Sequence, residues 1–461
     1  MSAGTSPLAA CVLAAGKGTR MASSRPKVLH LLAGEPLLAH VLRTAALAGV
    51  ASPVVVIGHG ADAVRAAFPN DICRWVEQKE QLGTGHAVLQ ALPLIPADGL
   101  VLILYGDVPL LGSATVLRLR AAASASGFAL LTVALEDPSG YGRVLRGPTG
   151  AIERIVEEKD ATPDERKVSE VNTGIMVVAG ALLHRWLPTL GNANAQGEYY
   201  LTDLVARATG EGIVVAGVTA ESPEEVAGVN DRQQLAVLER VHQRRQAETL
   251  MAAGVSLADP ARFDVRGELT SGRDTFIDVN CVFEGRVALG ERVRIGPNCV
   301  VRDCVLGDGV EVFANCVLEG AVIGRDARIG PFARLRPETR LAEQVHIGNF
   351  VEVKKSSFGP RSKANHLAYL GDSELGSDVN VGAGTITCNY DGAAKHRTVV
   401  GDDVFIGSDT QLVAPVTIGD GVTIGAGTTV TEDVPPGRLV ISRVRQKTVS
   451  GWQRPRKPEK S

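Results

Sequence analysis

The stretch VGDDVFIGSDTQLVAPVTIGDGVTIGAGTTV, residues 400–430, decides the fold. Val400, Ile406, Leu412, Ile418, Ile424 and Val430 stand six apart. A second run, Ile323, Ile329, Leu335, Leu341, Ile347 and Val353, keeps that step, and a third goes from Ile277 through Phe283, Leu289 and Ile295 to Val301. A small or β-branched residue sits two places before the anchor at Val293, Ala327, Val351 and Val422. A spacing of two puts both side chains on one face of a strand, and a period of six does not fit a helix. Gly296, Gly324, Gly330, Gly348, Gly407, Gly419 and Gly425 each follow an anchor, where a tight turn calls for a small or positive-φ residue. The pattern predicts a parallel β-helix of hexapeptide repeats.

With three hexads per coil and one strand spacing of rise, the tract is about 40 Å tall. Stacked coils bury a continuous core and leave flat outer faces for partners. The six-residue register lapses between Val353 and Val400, and polar residues crowd into that interval. Loops leaving a solenoid commonly carry function, so chemistry is expected there.

The rest of the chain bounds the answer. At 461 residues, two or three domains are expected. A net charge of −3 gives no reason to expect nucleic acid or an acidic membrane surface, and 4% aromatic residues disfavour base stacking. Seven cysteines lie singly, without a C-x-x-C or a Cys/His cluster, which argues against a disulfide framework and against zinc. Met1 to Ala10 lacks a basic leader, and apolar runs such as Leu100 to Tyr105 are too short for a bilayer. The expectation is a cytoplasmic protein with no membrane insertion. The tail from Arg454 to Lys460 reads as a solvated end.

Residues 8–230 alternate strand-like runs (Leu8 to Ala15, Pro53 to Gly58, Leu100 to Tyr105, Phe128 to Leu135) with helical patterns (Leu37 to Ala48, Gly85 to Leu94). That alternation predicts a mostly parallel α/β sheet with ligands at the carboxyl ends of its strands. The first strand ends in Leu13-Ala14-Ala15-Gly16-Lys17-Gly18-Thr19-Arg20-Met21. Its glycines let backbone N–H groups approach phosphates, and Arg20 adds charge. It is neither a dinucleotide fingerprint nor a P-loop. Lys27, in Arg25-Pro26-Lys27, supplies a second cation on the same loop. Asp107 ends an apolar strand, where an Asp is as often a helix cap as a ligand.

These residues resemble the sugar-1-phosphate nucleotidyltransferases. Gln78 to Ala87, with Gly83 and Thr84, is similar to the uracil-reading loop of the UTP-using branch. Tyr105-Gly106-Asp107 is similar to its metal-carboxylate turn, and Gly228-Val229-Asn230 to its second metal position. The resemblance implies nucleotide binding by Leu13, Ala14, Ala15, Gly16, Lys27, Gln78, Gly83 and Thr84. It implies Mg²⁺ on Asp107 and Asn230, and sugar phosphate held by Tyr105, Gly106, Gly142, Glu157, Asn172 and Asn230. Lys27 and Arg20 are then catalytic cations. Turn residues plus a surface acid would explain Gly142 and Glu157 equally well.

Asp231 to Ala253 reads as a linking helix with Leu235, Leu238, Val241 and Leu250 on one stripe and Gly254 as its C-cap. The expected domains are 1–230, a linker at 231–254, and a β-helix with its tail at 255–461. Within the lapse, His366 is accompanied by Arg336, Lys354, Tyr369, Asn380, Asn389, Tyr390 and Lys395, dense for a surface patch. These match the acetyltransferase half of the bifunctional N-acetylglucosamine-1-phosphate uridylyltransferase/glucosamine-1-phosphate N-acetyltransferase family, and the order of motifs matches from Leu13 to Trp452. Departures are small: Arg25 stands before Pro26-Lys27, and Asp231 follows Asn230.

That resemblance implies His366 as the base, oriented by Glu352, with the sugar phosphate on Arg336, Lys354, Tyr369, Asn380, Asn389, Tyr390 and Lys395. It implies acetyl-CoA along Ala383, Asn389, Tyr390, Ser408, Ala426 and Arg443, with UTP as the other co-substrate. It also implies a left-handed winding, against the usual crossover rule, and a homotrimer formed through the β-helix. One alternative is a monofunctional sugar nucleotidyltransferase whose β-helix serves assembly or regulation; the His366 to Lys395 constellation counts against it. A scaffold with decayed sites is the other, and intact Lys27, Asp107 and His366 count against that.

Overall fold

A computed structural model describes residues 7–69, 72–442 and 444–455. The chain divides into two compact units, Met1–Arg245 and Gln246–Ser461. The division falls inside a single helix, Arg232–Ala252. Asp231 caps its start by accepting from Gln234 N at 2.8 Å, and Gly254, at φ +98°, follows its end. Leu238 packs in a small core of the first unit with Met21, Leu32 and Leu37, while Ala247 and Leu250 belong to the core of the second.

The first unit is a mixed sheet. Seven strands run in the order Ala216–Thr219, Phe128–Ala134, Glu170–Ala179, Leu100–Tyr105, Leu8–Ala14, Val54–Ile57, Arg74–Glu77. Glu170–Ala179 is antiparallel to both neighbours and the remaining neighbours pair parallel. Alternate side chains feed two cores: Ala10, Val12 and Ala14 enter one, Cys11, Leu13 and Ala15 the other. A strand buried on both faces reads as a continuous apolar run, which is why these strands were visible without alternation. The helices Leu37–Leu47 and Thr84–Ala91 fall where the apolar spacing places them.

The second unit is a parallel β-helix of three columns. One face stacks eleven short strands from Ser256–Leu257 to Leu439–Val440. The second and third faces are the two strand columns of a 17-stranded sheet that turns a corner. On the first face, partners lie 18 residues apart from Phe276 to Arg294 and 17 apart from Arg294 to Glu311, His346 to Lys363 and Lys363 to Asn380. The anchors form one buried file system, with Ile295, Val301, Ile329, Ile347 and Ile424 sealed from solvent.

One expectation needs correction and another is narrowed to one of its two alternatives. First, the solenoid does not break between Val353 and Val400. Phe358, Ala364, Leu370, Leu375 and Val381 continue its core, and every column pairs through the interval. The six-residue count slips because the corner between the second and third faces takes five residues, as from Val353 to Phe358 and Leu370 to Leu375, around single left-handed residues at Lys355 (φ 47°) and Asp372 (φ 50°). The one insertion is smaller: Asn380 pairs with Phe405, 25 residues on, around a loop that follows Cys388.

Second, most anchor-following glycines are not there for positive φ; of those named above only Gly330 is left-handed, at +96°. They are there because coils stack closely. A Cβ on Gly296 would stand 2.9 Å from Ala314 N, and one on Gly407 2.5 Å from Ala426 N. The left-handed residues come two places after, at Asn298 and Asp409, types that tolerate that region.

Candidate active sites

The strands Leu8–Ala14 and Leu100–Tyr105 pair with Leu13 opposite Tyr105, so the loops after both open at one sheet edge. Past the first strand, a Cβ on Gly16 would meet open space, whereas Gly18, at φ +60°, lies so close to Lys27 that a Cβ there would be 2.8 Å from Lys27 Cβ. A cavity of about 230 Å³ forms here, and Leu13, Ala14, Ala15, Gly16, Lys27, Gln78, Gly83, Thr84, Tyr105 and Asp107 help line it. A neighbouring cavity of about 380 Å³ shares Tyr105 and Asp107 and adds Arg20, Tyr141, Thr173 and Asn230.

Lys27 stands between the two. Its Nζ donates to Asp107 Oδ2 and, at 3.3 Å, to Asn230 Oδ1. Val229 N donates to Asp107 O at 2.9 Å, which pins the Asn230 segment to the strand end. Asp107 and Asn230 therefore present one carboxylate and one amide oxygen to a common point. Oxygen donors suit a hard divalent ion, and two protein donors leave room for water and phosphate, as Mg²⁺ prefers. Among the described residues no cluster of three or more His, Cys, Asp or Glu could hold a metal, so a shared site of this kind is the fit, and a protein-caged one is not.

Gln78 is buried, and its Nε2 donates to Gly83 O at 3.1 Å and to His86 Nδ1 at 3.0 Å. Gly83 has φ +107°, and a Cβ there would be 2.7 Å from Tyr199 O. Leu201 N donates to Thr84 Oγ1 at 3.1 Å, so this loop is braced from residues 199–201. Nearby, Asn172 N donates to Gly142 O at 2.8 Å, and a Cβ on Gly142 would be 3.3 Å from the Glu157 carboxylate. Burial pushes Glu157 above the usual carboxylate range, partly offset by the Thr202 hydroxyl at 3.0 Å. Burial, with the negative Glu157 and Asp107, holds the Tyr105 phenol well above its ordinary range, so its hydroxyl remains a donor. The Tyr105 ring lies against Gly174, where no side chain would fit.

In the solenoid, His366 ends a first-face strand, Lys363–His366, and is exposed. Its Nδ1 meets Asn349 Oδ1 at 2.9 Å. An amide oxygen only accepts, so Nδ1 carries a hydrogen, and in the neutral ring the lone pair is on Nε2. Glu352, expected to orient this ring, instead binds Arg336 Nη1 at 2.8 Å. Asn349 wins because it sits one coil below His366 in direct register. The same register puts Ala383, Ser408 and Ala426 above His366, each two residues past a stacked inward anchor: Ala364, Val381, Ile406, Ile424. Asp409 N to Ala383 O (2.7 Å) and Gly427 N to Ser408 O (2.8 Å) tie this edge together. The four form a file about 14 Å long at one strand spacing per coil.

The cations stand at the next corner of the triangular section. Arg336 follows Leu335, Lys354 is in register with Gly371, and the inserted loop brings Lys395 to the same edge. The Lys395 ammonium beside it, with Arg336 further off, pulls Lys354 below the ordinary lysine range. Tyr369 lies on the face between, with its hydroxyl over Gly371. Asn380 is on the first face, one coil above Lys363. The loop is self-braced. Asn389 Nδ2 reaches the buried Asp372 Oδ2 at 2.5 Å, Tyr390 bridges Lys395 and donates to Gly392 O at 2.6 Å, and Asp391 accepts from Ala393 N, Ala394 N and His396 Nε2 at 2.8, 2.7 and 2.7 Å. Those bonds hold the Asp391 carboxyl far below its usual range.

Comparison with known proteins matches these parts. The family model for a MobA-like NTP transferase domain covers residues 10–179, one for the GMPPB C-terminal domain residues 265–371, and one for bacterial transferase hexapeptide repeats residues 397–432. The Bifunctional protein GlmU of Methylococcus capsulatus is 59% identical over 98% of both chains. That of Marinobacter nauticus is 57% identical over 98% of this chain and 100% of its own, and that of Aromatoleum aromaticum 57% over 96% and 98%. This chain belongs to the GlmU family.

As a GlmU-family protein it is an enzyme with two catalytic regions; the first motif set lines adjoining cavities, and the second lies along two corners of the solenoid. Four residues escaped the sequence reading. Thr202 and the Tyr199 backbone brace the first site from a segment with no motif of its own. Asn349 is marked only by lying 17 residues before His366, a signal that needs the coil length to be read. Arg143, buried, ties Tyr141 O to Glu158. Arg443 lies outside the described residues. No described helix is long and apolar enough to cross a membrane.

Proposed function

We propose that this protein makes UDP-N-acetylglucosamine in two steps, with residues 1–230 and 255–461 as the two catalytic parts and 231–254 joining them. In the solenoid, glucosamine-1-phosphate sets its phosphate among Arg336, Lys354 and Lys395; paired cations suit that dianion. Its 2-amino nitrogen attacks the acetyl-CoA thioester. His366 Nε2 takes the proton, the C–N bond forms, the C–S bond breaks and the CoA thiol leaves. A positioned base of this kind gives roughly 10²–10⁴-fold. Tyr369, Asn380, Asn389 and Tyr390 frame the sugar. Ala383, Ser408 and Ala426 leave a smooth edge for the CoA arm, and Ser408 or backbone N–H groups meet the oxyanion.

In the first unit, the phosphate of the acetylated product attacks the α-phosphorus of UTP in line and pyrophosphate leaves. Lys27 and Arg20 meet the phosphate charge. Gln78, Gly83 and Thr84 read uracil. Gly142, Glu157 and Asn172 hold the N-acetylated sugar, with Tyr105 and Gly106 below. Mg²⁺ on Asp107 and Asn230 would supply a Lewis acid shared with the phosphates.

The observation that carries the acetyl-transfer half is the single file of His366 with Ala383, Ser408 and Ala426, the histidine held with Nε2 free. A homotrimer follows as part of the proposal. The His366 file and the cation cluster occupy different corners of one prism, so a second copy's edge is needed to close a site. Exposed Phe332 and Phe350, stacked at 5.2 Å, and exposed Leu367 continue the His366 corner and suit such packing. We assign the enzyme to the cytoplasm, where its nucleotide and CoA substrates are made.

One assay tests the two-step reading. Protein incubated with UTP, glucosamine-1-phosphate, acetyl-CoA and Mg²⁺ is expected to release thiol and form a UDP-sugar. Thiol without nucleotide sugar, or uridylyl transfer from supplied N-acetylglucosamine-1-phosphate without any thiol release, refutes it.

A further inference from the structure

The contacts of Lys27 point to a role beyond meeting phosphate charge. Its ammonium donates to Asp107 Oδ2 and to Asn230 Oδ1, the two oxygens that suit a divalent ion. The Lys27 and Asp107 side chains are each only 15% exposed, so the carboxylate has little water to offset its charge. The arrangement is built in from both sides. Gly18 packs on Lys27 Cβ, His30 N donates to Lys27 O at 3.1 Å, and Val229 N holds Asp107 O. The Lys27 ammonium occupies the point between Asp107 Oδ2 and Asn230 Oδ1 that a divalent ion bridging those same two oxygens would take.

We propose that Lys27 and the divalent cation compete for Asp107 and Asn230, so that metal entry requires Lys27 to leave. The inference rests on the reading of Asp107 and Asn230 as metal ligands. A lysine has a flexible four-carbon stem and three donors, and Lys27 also lines the cavity below Gly16. Its acceptor on leaving is the phosphate chain of the nucleotide. Nucleotide then strengthens metal binding, and metal strengthens nucleotide binding by the same factor. The free enzyme binds metal weakly, and the lysine is released only when there is a phosphate to receive it.

The test is Mn²⁺ titration of the full-length protein, read by electron paramagnetic resonance, with and without a non-hydrolysable UTP analogue. Lys27→Met is expected to bind Mn²⁺ about tenfold more tightly than the native protein when nucleotide is absent, and to gain less from the analogue. Lys27→Arg keeps a cation there and stays weak. Circular dichroism melting establishes that the variants fold, and Lys27→Gln replaces Lys27→Met if the latter does not. If the neutral variant binds Mn²⁺ no more tightly while Asp107→Asn abolishes binding, the competition is overturned and the ligand reading survives. If Asp107→Asn leaves Mn²⁺ binding unchanged, both are overturned.

Discussion

The two sites solve the same problem, holding a sugar phosphate, in opposite ways. In the first unit the groups converge inside one chain: Lys27, Asp107, Asn230, Gln78 and Thr84 surround adjoining cavities, and their contacts are half-buried. In the solenoid they lie on the outside. His366 is exposed at one corner, and Arg336, Lys354 and Lys395 are gathered at the next. A sheet edge with loops can fold around a ligand. A prism with a sealed core can only display residues, so its site must be closed by something else. On the proposed reading, the first site is completed by folding and the second by assembly.

The sharpest division is chemical. His366→Ala is expected to cut thiol release by roughly 10²–10⁴-fold while uridylyl transfer from supplied N-acetylglucosamine-1-phosphate stays within about twofold of native, because the two residue sets belong to different units of the chain. Loss of both activities in a folded variant would break the comparison at its root. Assembly comes next. Phe350→Asp puts a charge into the exposed stack with Phe332, and a disrupted interface anchor costs about 2 kcal/mol or more, roughly 30-fold. Light scattering should show smaller species that keep uridylyl transfer and lose acetyl transfer. If the dissociated species still acetylates, the site is complete in one chain.

A smaller effect is expected at the loop. Asp391→Ala removes three acceptor bonds that shape the turn carrying Lys395. Steady-state kinetics should show KM for glucosamine-1-phosphate rising about tenfold with kcat changed less, since binding and not proton transfer is lost. A pure kcat effect would contradict the positioning role.

The smallest effect concerns stability. Glu157 has its folded-state pKa raised by burial, so its contribution is present at low pH and is lost as pH rises through that raised value. Glu157→Gln, which keeps an oxygen for Thr202, should therefore raise the melting temperature of the first unit at pH 8 and change it little at pH 4. The reverse order would mean that Glu157 is stabilised as a carboxylate.

Much of this was legible because repeats and strands write themselves locally. Six-residue anchors and continuous apolar runs each report burial, and the solenoid and the α/β sheet followed from them. The motifs at Gly16, Gln78 and Asp107 line one cavity, and His366 stands exposed on a solenoid corner, held by Asn349. What misled was the five-residue corner. One left-handed residue such as Asp372 shortens a step without disturbing the stack, so a regular coil looked like a break. The resemblance implies Glu352 as the group that orients His366, but register gives His366 to Asn349 and geometry gives Glu352 to Arg336.

The sequence by itself determined the two architectures, their order along the chain, and the residue types that chemistry requires, because periodicity and short motifs depend on neighbours along the chain. Only the tertiary structure decided who touches whom. It set Lys27 across Asp107 and Asn230, 80 and 203 residues away. It placed Asn349 under His366, and Ala383, Ser408 and Ala426 above it. Those pairings depend on coil length and sheet order, which accumulate over the whole chain and are fixed only when strands stack.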